Sequence, residues 1–304
     1  MLKFQFENIE ELKKLHYDAV EDYVSHLSDD AQDGIYASIT QLTGFEGYGS
    51  ARDKATYDWL KQFILAPLDL LRGWVANESG KLKFMEFHEL YDSKFSNGSS
   101  NYVDTAKTYN AYALIDKMNI NVCPYCDDEY IDVLNPDGTK KRTSEFDHYF
   151  PKGRSKYPGL AMCFYNLVLC GQNCNGLKLQ QELGVSPYDE DIEEQTFLYP
   201  DLKIGVNMET VEPEECKVLL HAKRGMITNE NVLGLKDRYA NRYMEAYHLL
   251  RRKQQNPDEK LDEMLKNGLI KSKEDELDAL FGPKYEKGKF KVIHQKMKHD
   301  ITGY

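Results

Sequence analysis

Two close pairs of cysteines enclose an Asp-His dipeptide in the middle of the 304-residue chain. The pairs are Cys123 with Cys126 and Cys170 with Cys174, and the dipeptide between them is Asp147-His148. Two close pairs of thiolates can hold a tetrahedral zinc ion, with Zn–S distances of about 2.3 Å. We therefore expect a closed structural Zn²⁺ site that fixes the segment of the first pair to that of the second. Buried thiols without metal are the alternative.

Composition favours the zinc interpretation. Hydrophobic residues make up 41% of the chain, an ordinary fraction for a globular protein. No apolar run approaches the roughly 20 residues that a membrane helix needs, and the first residues lack the apolar segment of a signal peptide. We therefore expect a cytosolic protein that does not bind membranes. In a reducing compartment, close cysteine pairs bind metal more often than they form disulfides.

The charge distribution sets the Asp-His region apart from the rest of the chain. The formal net charge is −11, which argues against a protein that coats nucleic acid by neutralising many phosphates. Six lysines and arginines nevertheless lie between residues 140 and 156: Lys140, Lys141, Arg142, Lys152, Arg154 and Lys156. The region is either a basic island around a functional site or a solvated hairpin surface. The acidic remainder would face a partner protein or aid solubility.

The first 120 residues are predicted to be mainly helical. Apolar residues recur at helical spacing from Ile9 to Leu27, with Asn8 as the candidate N-terminal cap and Glu11 reaching back to it. Similar patterns predict one helix from Tyr57 toward Pro67, a second beyond Pro67 through Trp74, and a third from Val103 to Met118.

The middle of the chain has a different pattern. Residues 130–134 and 142–149 are predicted to form two strands of a hairpin, joined by the turn sequence Asn135-Pro-Asp-Gly138. A short strand is expected at Leu167–Leu169, and a helix is expected from Asn175 through Lys178 to Leu183.

The C-terminal part is predicted to be mixed and mostly helical. A strand pair is expected near residues 202–208 and 217–222. Helices are expected from Leu235 to Lys253 and from Asp258 to Phe281, with breaks at Asn256-Pro257 and at Gly282-Pro283. The basic stretch from Phe290 to Tyr304 is not assigned a structure.

His148 is distinguished from the other histidines by its position directly after Asp147 at the end of a predicted strand. Adjacent strand residues point to opposite faces, so both side chains can meet one ion only if the strand ends or bends there. Pro151, shortly after, supports such an end. A neutral imidazole with a pKa near 6.5 is a suitable base for taking a proton from water.

Five motifs in this region arrive in an order that resembles HNH endonucleases with the ββα-metal fold. They are Cys123-Pro-Tyr-Cys126, Asp147-His148-Tyr-Phe-Pro-Lys152, Tyr157-Pro-Gly-Leu160, Asn166-Leu-Val168 and Cys174-Asn175-Gly-Leu-Lys178. The resemblance covers residues 121–182. It implies an α+β protein with a central zinc-stapled HNH module at 121–182. A mainly helical region at 1–120 and a mixed region at 183–304 would flank the module.

The resemblance also implies roles for individual residues. Asp147 matches the metal-binding acid, His148 the general base, and Asn175 a second ligand of a catalytic Mg²⁺ or Mn²⁺. Asn166 matches the residue that orients the catalytic loop by hydrogen bonding. Lys178, with Lys152 and Arg154, would contact substrate phosphate.

One departure concerns the second cysteine pair. The family commonly places two residues between these cysteines, at five and eight positions after the central Asn. Here Cys174 is eight positions after Asn166, but Gly171 occupies the fifth position and Cys170 comes one residue earlier. Either the zinc loop is remodelled or Cys170 is not a ligand.

The expected reaction is metal-dependent hydrolysis of a phosphodiester bond in nucleic acid, with DNA as the leading substrate. RNA, for instance transfer RNA, is an alternative, because contacts to phosphate do not separate the two. A zinc-stapled binding module without catalysis is a third interpretation, although it would not require the complete Asp147, His148, Asn166 and Asn175 set.

The flanking regions resemble those of larger bacterial HNH proteins that are encoded beside an ATPase in Septu-type and retron-linked anti-phage systems. The resemblance rests on the helix before the module and on the Leu235-Lys-Asp-Arg-Tyr239 segment. It implies an antiviral defence effector whose activity is gated by an ATPase that docks on residues 1–120 or 183–304. The alternative is that these regions only shield and position the nuclease core.

Overall fold

Helices form most of the described chain, and three short antiparallel strand pairs interrupt them. The computed structural model describes residues 1–44, 58–96, 109–134, 141–203, 205–288 and 292–304. The mixed α+β class expected from the sequence is confirmed. The chain divides into two compact units, which we describe separately. The cleft unit comprises Gln5–Ile120 and Ile131–Glu182, and the terminal unit comprises Met1–Phe4, Asn121–Tyr130 and Leu183–Tyr304.

The cleft unit begins with helices. They are α1 (Ile9–Ser25), α2 (Asp29–Thr43), α3 (Asp58–Ile64), α4 (Leu68–Glu78), α5 (Glu86–Leu90), which continues into a π-helical turn (Tyr91–Phe95), and α6 (Ala111–Met118). Aromatic side chains fill the space between them: the Phe63 ring stacks on Trp74 with centroids 5.3 Å apart, and Phe87 packs beside it. These rings give the helices a shared apolar core against which the strands pack.

Local sequence explains where two of these helices begin and end. The Ser28 hydroxyl accepts a hydrogen bond from the amide of Ala31 at the start of α2, and Gly44 ends that helix in the left-handed conformation. Asn110 caps α6 in the same way through Ala113, at 3.1 Å. Asn8, in contrast, makes no side-chain capping bond to α1, so the predicted capping box is wrong.

Four strands and a helix follow in the cleft unit. Strand β1 (Val133–Leu134) pairs with β2 (Lys141–Arg142), and β3 (Ser144–His148) pairs with β4 (Leu167–Gly171), which leads directly into α7 (Gln172–Lys178). In the register of the second pair, Asp147 lies opposite Val168 and His148 opposite Leu167. Helix α7 packs on both β3 and β4. The local arrangement is therefore an antiparallel pair covered by the helix that follows it.

This pairing corrects the predicted hairpin. The hairpin pairing is confined to Val133–Leu134 with Lys141–Arg142 and to a bond from the Thr143 amide to Asp132. From Ser144 onward the second predicted strand pairs with β4 instead. The reason is burial: every residue of β4 is buried, and its backbone groups require partners that only another interior strand supplies. The turn predicted at 135–138 and residues 103–108 of a predicted helix lie outside the described residues.

The terminal unit contains one strand pair and six helices in its described part. Strands β5 (Thr196–Pro200) and β6 (Val218–Ala222) are antiparallel, and the helices are α8 (Met226–Leu233), α9 (Leu235–Ala240), α10 (Tyr243–Gln255), α11 (Asp258–Lys266), α12 (Lys273–Phe281) and α13 (Gln295–Thr302). Helix α13 packs on β5, and α9 packs on β6.

Several predicted boundaries in the C-terminal half are wrong. The first strand of the pair lies at 196–200 rather than 202–208, where a turn with Gly205 at φ 79° occurs instead. The helix predicted over 235–253 is broken near Asn241, and Gly268 at φ 68° separates α11 from α12. Positive φ values favour glycine and interrupt helices. Helices α2, α5, α8 and α13 were not predicted individually.

In the described part of the chain, no helix combines the length and apolarity needed to cross a membrane.

Candidate active site and metal cluster

An open cleft of about 880 Å³ lies beside β3 and α7 in the cleft unit. Five of the residues named from the sequence line it: Arg142, Asp147, His148, Lys152 and Asn175. Glu145, two residues before Asp147, lines it as well. Arg154 and His88 lie at the same cavity. The Asp-His dipeptide and Asn175 are therefore brought to one cavity, although they lie on different elements.

Asp147 is buried on β3, and its carboxylate is bound by a buried lysine. The Lys178 ammonium donates to Asp147 Oδ1 at 3.0 Å and to the backbone carbonyl of His148. The two side chains are 0% and 3% exposed. The expectation that Lys178 meets substrate phosphate is therefore corrected: its ammonium is enclosed at the C-terminal end of α7 and neutralises Asp147.

His148 is the last residue of β3, where the strand ends as the sequence predicted. Its Nε2 lies 3.0 Å from the carbonyl oxygen of Ala161, and its ring meets that of Tyr91 edge-on at 4.4 Å. A carbonyl oxygen only accepts, so Nε2 carries the proton and Nδ1 is the basic nitrogen. Burial, with the neighbouring Lys152 ammonium, lowers the pKa of His148 well below its usual range. The imidazole is thus neutral at pH 7.

Asn166 holds the segment that follows His148. Its Oδ1 accepts from the amide of Phe150 at 2.7 Å, and its Nδ2 donates to the carbonyls of Phe150 and Leu160. The side chain is fully buried. These three bonds connect the chain after β3 to the turn before β4. The same turn is fixed again by buried His16, whose Nε2 donates to the Met162 carbonyl at 2.7 Å.

Asn175 lies on α7 and donates a short hydrogen bond from Nδ2 to the carboxylate of Glu145. Glu145 and Asp147 are two residues apart on β3, so they share one face of the strand. Because the amide nitrogen faces Glu145, the amide oxygen of Asn175 is left as an acceptor. Glu145 was not predicted as a site residue, although its position two residues before Asp147 was a usable signal.

The basic residues of the cleft differ in their surroundings. Lys152 donates to Asp92 at 2.8 Å and lies over the Tyr91 ring at 5.0 Å, whereas Arg154 is exposed. The guanidinium of Arg142 lies over the ring of Tyr112, 5.4 Å from its centroid, and lines the cleft. Of the described members of the predicted basic island, Arg142, Lys152 and Arg154 line the cleft, and Lys152 is paired with Asp92.

The rim of the cleft carries a strained residue. Leu179 follows α7 with φ at 48° and ψ at −117°, and the amide of Gln181 donates to the Lys178 carbonyl at 2.9 Å across it. This is the geometry of the first central position of a type II′ turn, which glycine favours. The leucine side chain is nevertheless 70% exposed.

A second group of residues could bind a metal ion. Cys123, Cys126, Glu129 and Cys174 each offer one ligand atom, and these atoms lie within 4.8 Å of one another. All six cysteines of the chain are buried, and none of them forms a disulfide. Cys170 is not a member of the group, so the four-cysteine set is corrected to three cysteines and a glutamate. The unusual spacing of the second pair was the sequence signal for this outcome.

The first cysteine pair sits in a tight turn of the terminal unit. The amide of Asp127 donates to the Cys123 carbonyl, and the amide of Cys123 donates to the Glu129 carbonyl, both at 2.9 Å. The Tyr239 hydroxyl donates to the Cys126 carbonyl at 2.6 Å. Glu129 was missed by the sequence analysis because a glutamate three residues after a cysteine pair is usually an ordinary surface residue.

An ionic network follows this turn within the terminal unit. The Asp128 carboxylate, 2% exposed, accepts from Arg238 at 3.1 Å and from Arg242 at 2.6 Å, and it also pairs with His294. The other ring nitrogen of His294 is 2.5 Å from Glu245. Burial alone would lower the pKa of His294, but its bonds to Asp128 and Glu245 outweigh burial and raise it to about 9. His294 is therefore a cation at pH 7.

Comparison with known proteins adds no family assignment. No protein family model, no curated protein and no solved structure matches the chain. The site must therefore be interpreted from its own geometry.

Proposed function

We propose that the protein is a metal-dependent endonuclease of the HNH type that hydrolyses phosphodiester bonds in nucleic acid. The observation that carries the proposal is the convergence of Asp147, His148 and Asn175 on one open cleft. The order of β3, β4 and α7 supports it, because a ββα-metal site also requires an antiparallel pair followed by a helix. Cationic side chains at the same cavity suit a polyanionic substrate.

His148 is the residue we assign as general base. Its Nε2 is fixed by the Ala161 carbonyl, so the ring cannot rotate without losing a buried hydrogen bond. Nδ1 is then the nitrogen that takes a proton from an attacking water. Asn166 acts as a positioning residue, because its bonds to Phe150 and Leu160 fix the segment on which the base depends.

Asp147 and Asn175 would hold the catalytic Mg²⁺ or Mn²⁺, which stabilises charge on the phosphate and on the leaving oxygen when bound. Oxygen donors of this kind fit such an ion, and Glu145 adds a carboxylate at the same cavity. The buried Lys178 ammonium balances the charge of the Asp147 carboxylate. We further propose that the separate Cys123, Cys126, Glu129 and Cys174 group binds structural zinc, since thiolates and a carboxylate are accepted zinc ligands.

The test is His148→Ala in the full-length protein, assayed with Mg²⁺ or with EDTA. Loss of a general base should lower the cleavage rate by about 10²–10⁴-fold, while zinc content stays near wild type. Because the ring is buried and bonded to Ala161, the rates are compared at a temperature where the variant is shown to be folded. His221→Ala is the matched control, because His221 is exposed on β6. Undiminished cleavage by His148→Ala would show that the base is assigned wrongly.

The substrate is tested in the same assay by comparing plasmid, single-stranded DNA and transfer RNA. We propose DNA first, with RNA as the alternative on the same chemistry. Binding of nucleic acid without metal-dependent cleavage of any of them would favour a zinc-stapled binding module instead. Gating by an ATPase and a role in antiviral defence extend this proposal and rest on the flanking resemblance alone.

A further inference from the structure

The guanidinium of Arg142 carries a buried N–H group that lacks a partner. Its Nη1 atom is shielded from solvent and forms no hydrogen bond within the described part of the chain. An arginine stays charged at any physiological pH, so it cannot relieve this situation by losing a proton. Buried charged donors are normally hydrogen-bonded. Because Arg142 also lines the open cleft, an acceptor placed there could bond the guanidinium.

The side chain is held in place by contacts that leave its hydrogen-bonding edge unused. The guanidinium lies over the Tyr112 ring, which supports a cation through its π face without accepting an in-plane N–H bond. The Arg142 backbone is fixed separately: it pairs with Val133 in the β1–β2 ladder, and its carbonyl accepts from Gln172 at 3.3 Å. The donor edge is thus preorganised before any ligand arrives.

Arg142 differs in this respect from the lysines around it. Lys152 is paired with Asp92 and Lys178 with Asp147, whereas Nη1 of Arg142 has no partner in the described part of the chain. Arg154 is exposed and therefore solvated. Among the described cations of the cleft, Arg142 is the one with a buried donor that lacks a hydrogen-bond partner.

An acceptor that suits this guanidinium is anionic and fits a planar fork of donors. A phosphate group meets both conditions, because its oxygens accept two parallel bonds from a guanidinium. Arg142 shares the cavity with Asp147, His148 and Asn175. We infer that Arg142 binds a backbone phosphate of the nucleic acid at the cleaved site, in the role that was expected of Lys178. This inference rests on the proposed function.

The experiment compares Arg142→Gln and Arg142→Lys with wild type in the full-length protein. The first readout is binding of short fluorescein-labelled duplex and single-stranded DNA in EDTA, which requires no chemistry. Loss of one charge-assisted phosphate contact should weaken binding by Arg142→Gln about 10- to 100-fold and reduce the salt slope by about 1. Arg142→Lys should be intermediate, since it keeps the charge and loses the fork.

Two further measurements separate this role from a structural one. Arg251→Gln is the matched control, because Arg251 is an exposed arginine on α10. The melting temperature of Arg142→Gln should stay near wild type, because the substitution removes no hydrogen bond of the guanidinium. In Mg²⁺, Arg142→Gln should raise KM at least as much as it lowers kcat.

The outcomes are distinguishable. Unchanged affinity and salt slope in Arg142→Gln, with cleavage intact, would overturn the inference and leave the nuclease proposal standing. Weaker binding accompanied by a lower melting temperature would assign Arg142 a structural role and also overturn it. DNA binding that depends on Arg142 without hydrolysis of any substrate would support the inference and reject the nuclease.

Discussion

Lys178 shows how one side chain can satisfy two buried groups at once. Its ammonium is completely buried and binds both the Asp147 carboxylate and the His148 carbonyl. A buried ion pair need not add stability over an apolar pair, but removal of one partner leaves an uncompensated charge in the interior. The arrangement of the Asp-His dipeptide therefore depends on a residue of α7.

We predict that Lys178→Met destabilises the cleft unit by about 3–5 kcal/mol. Combining it with Asp147→Asn should recover part of that loss, because the double variant leaves no unpaired carboxylate. Chemical denaturation measures both. The control is Lys156→Met, which removes a surface pair with Glu182 at 3.4 Å and should cost less than about 1 kcal/mol. Equal losses from the two single variants would contradict the assigned role.

At the scale of elements, α7 carries residues of both candidate sites. Cys174 belongs to the metal group, while Asn175 and Lys178 contact β3 residues at the cleft. Helix α7 has only seven residues, too few to be stable alone. Its geometry must therefore come from packing on β3 and β4 and from its bound side chains.

The zinc proposal makes a prediction that separates the two cysteines of the second pair. Purified wild-type protein should contain one equivalent of zinc, Cys174→Ser and Cys123→Ser should lose it, and Cys170→Ser should keep it. Metal analysis by mass spectrometry gives the stoichiometry. The variants without zinc should also melt earlier, since metal binding contributes to folding. Loss of zinc in Cys170→Ser, with retention in Glu129→Gln, would restore the four-cysteine set.

The candidate site residues that could be named from the sequence are those with a reactive or metal-binding side chain at a characteristic spacing. Cysteine spacing identified Cys123, Cys126 and Cys174, and residue type identified Asp147 and His148 at a strand end. The sequence did not predict which strand pairs with β3. Strand β3 pairs with β4 because both are buried, and no local pattern distinguishes that pairing from the nearer hairpin. Arg142 was recognised only as one of the basic residues near the dipeptide, because the fold is what brings it to the cleft. Glu145 was overlooked although it lies two residues before Asp147 on the same strand.

At the scale of the whole molecule, one ionic network links several elements of the terminal unit. The chain has a net charge of −11, yet the terminal unit contains a cationic histidine held by Asp128 and Glu245, with Arg242 and Lys298 beside these acids. This network fixes α10 and the start of α13 to the turn after Cys126. Its strength should depend on pH through His294.

The sign of that dependence follows from the raised pKa of His294, about 9 in the folded state against an ordinary value near 6.5. The stabilisation is fully present below pH 6.5 and is lost as pH rises through 9. We predict that wild-type protein loses on the order of 2–3 kcal/mol across this window. His294→Gln should be less stable at pH 6.5 and should show a flatter profile.

Thermal melts of the wild type and of His294→Gln at several pH values test this predicted pH dependence of stability. His248→Gln is the matched control, because His248 is an exposed histidine on α10, and it should reproduce the wild-type slope. A wild-type slope that persists in His294→Gln would assign the pH dependence to other groups.

The strained backbone of Leu179 bears on the stability of the cleft. Its backbone is held in a conformation that costs a leucine roughly 1–3 kcal/mol, immediately after the buried ammonium of Lys178. The turn therefore stores backbone strain at the cavity, directly beside the Lys178–Asp147 ion pair. Because the two residues are adjacent, the stability effects of substitutions at Lys178 and at Leu179 should not be additive.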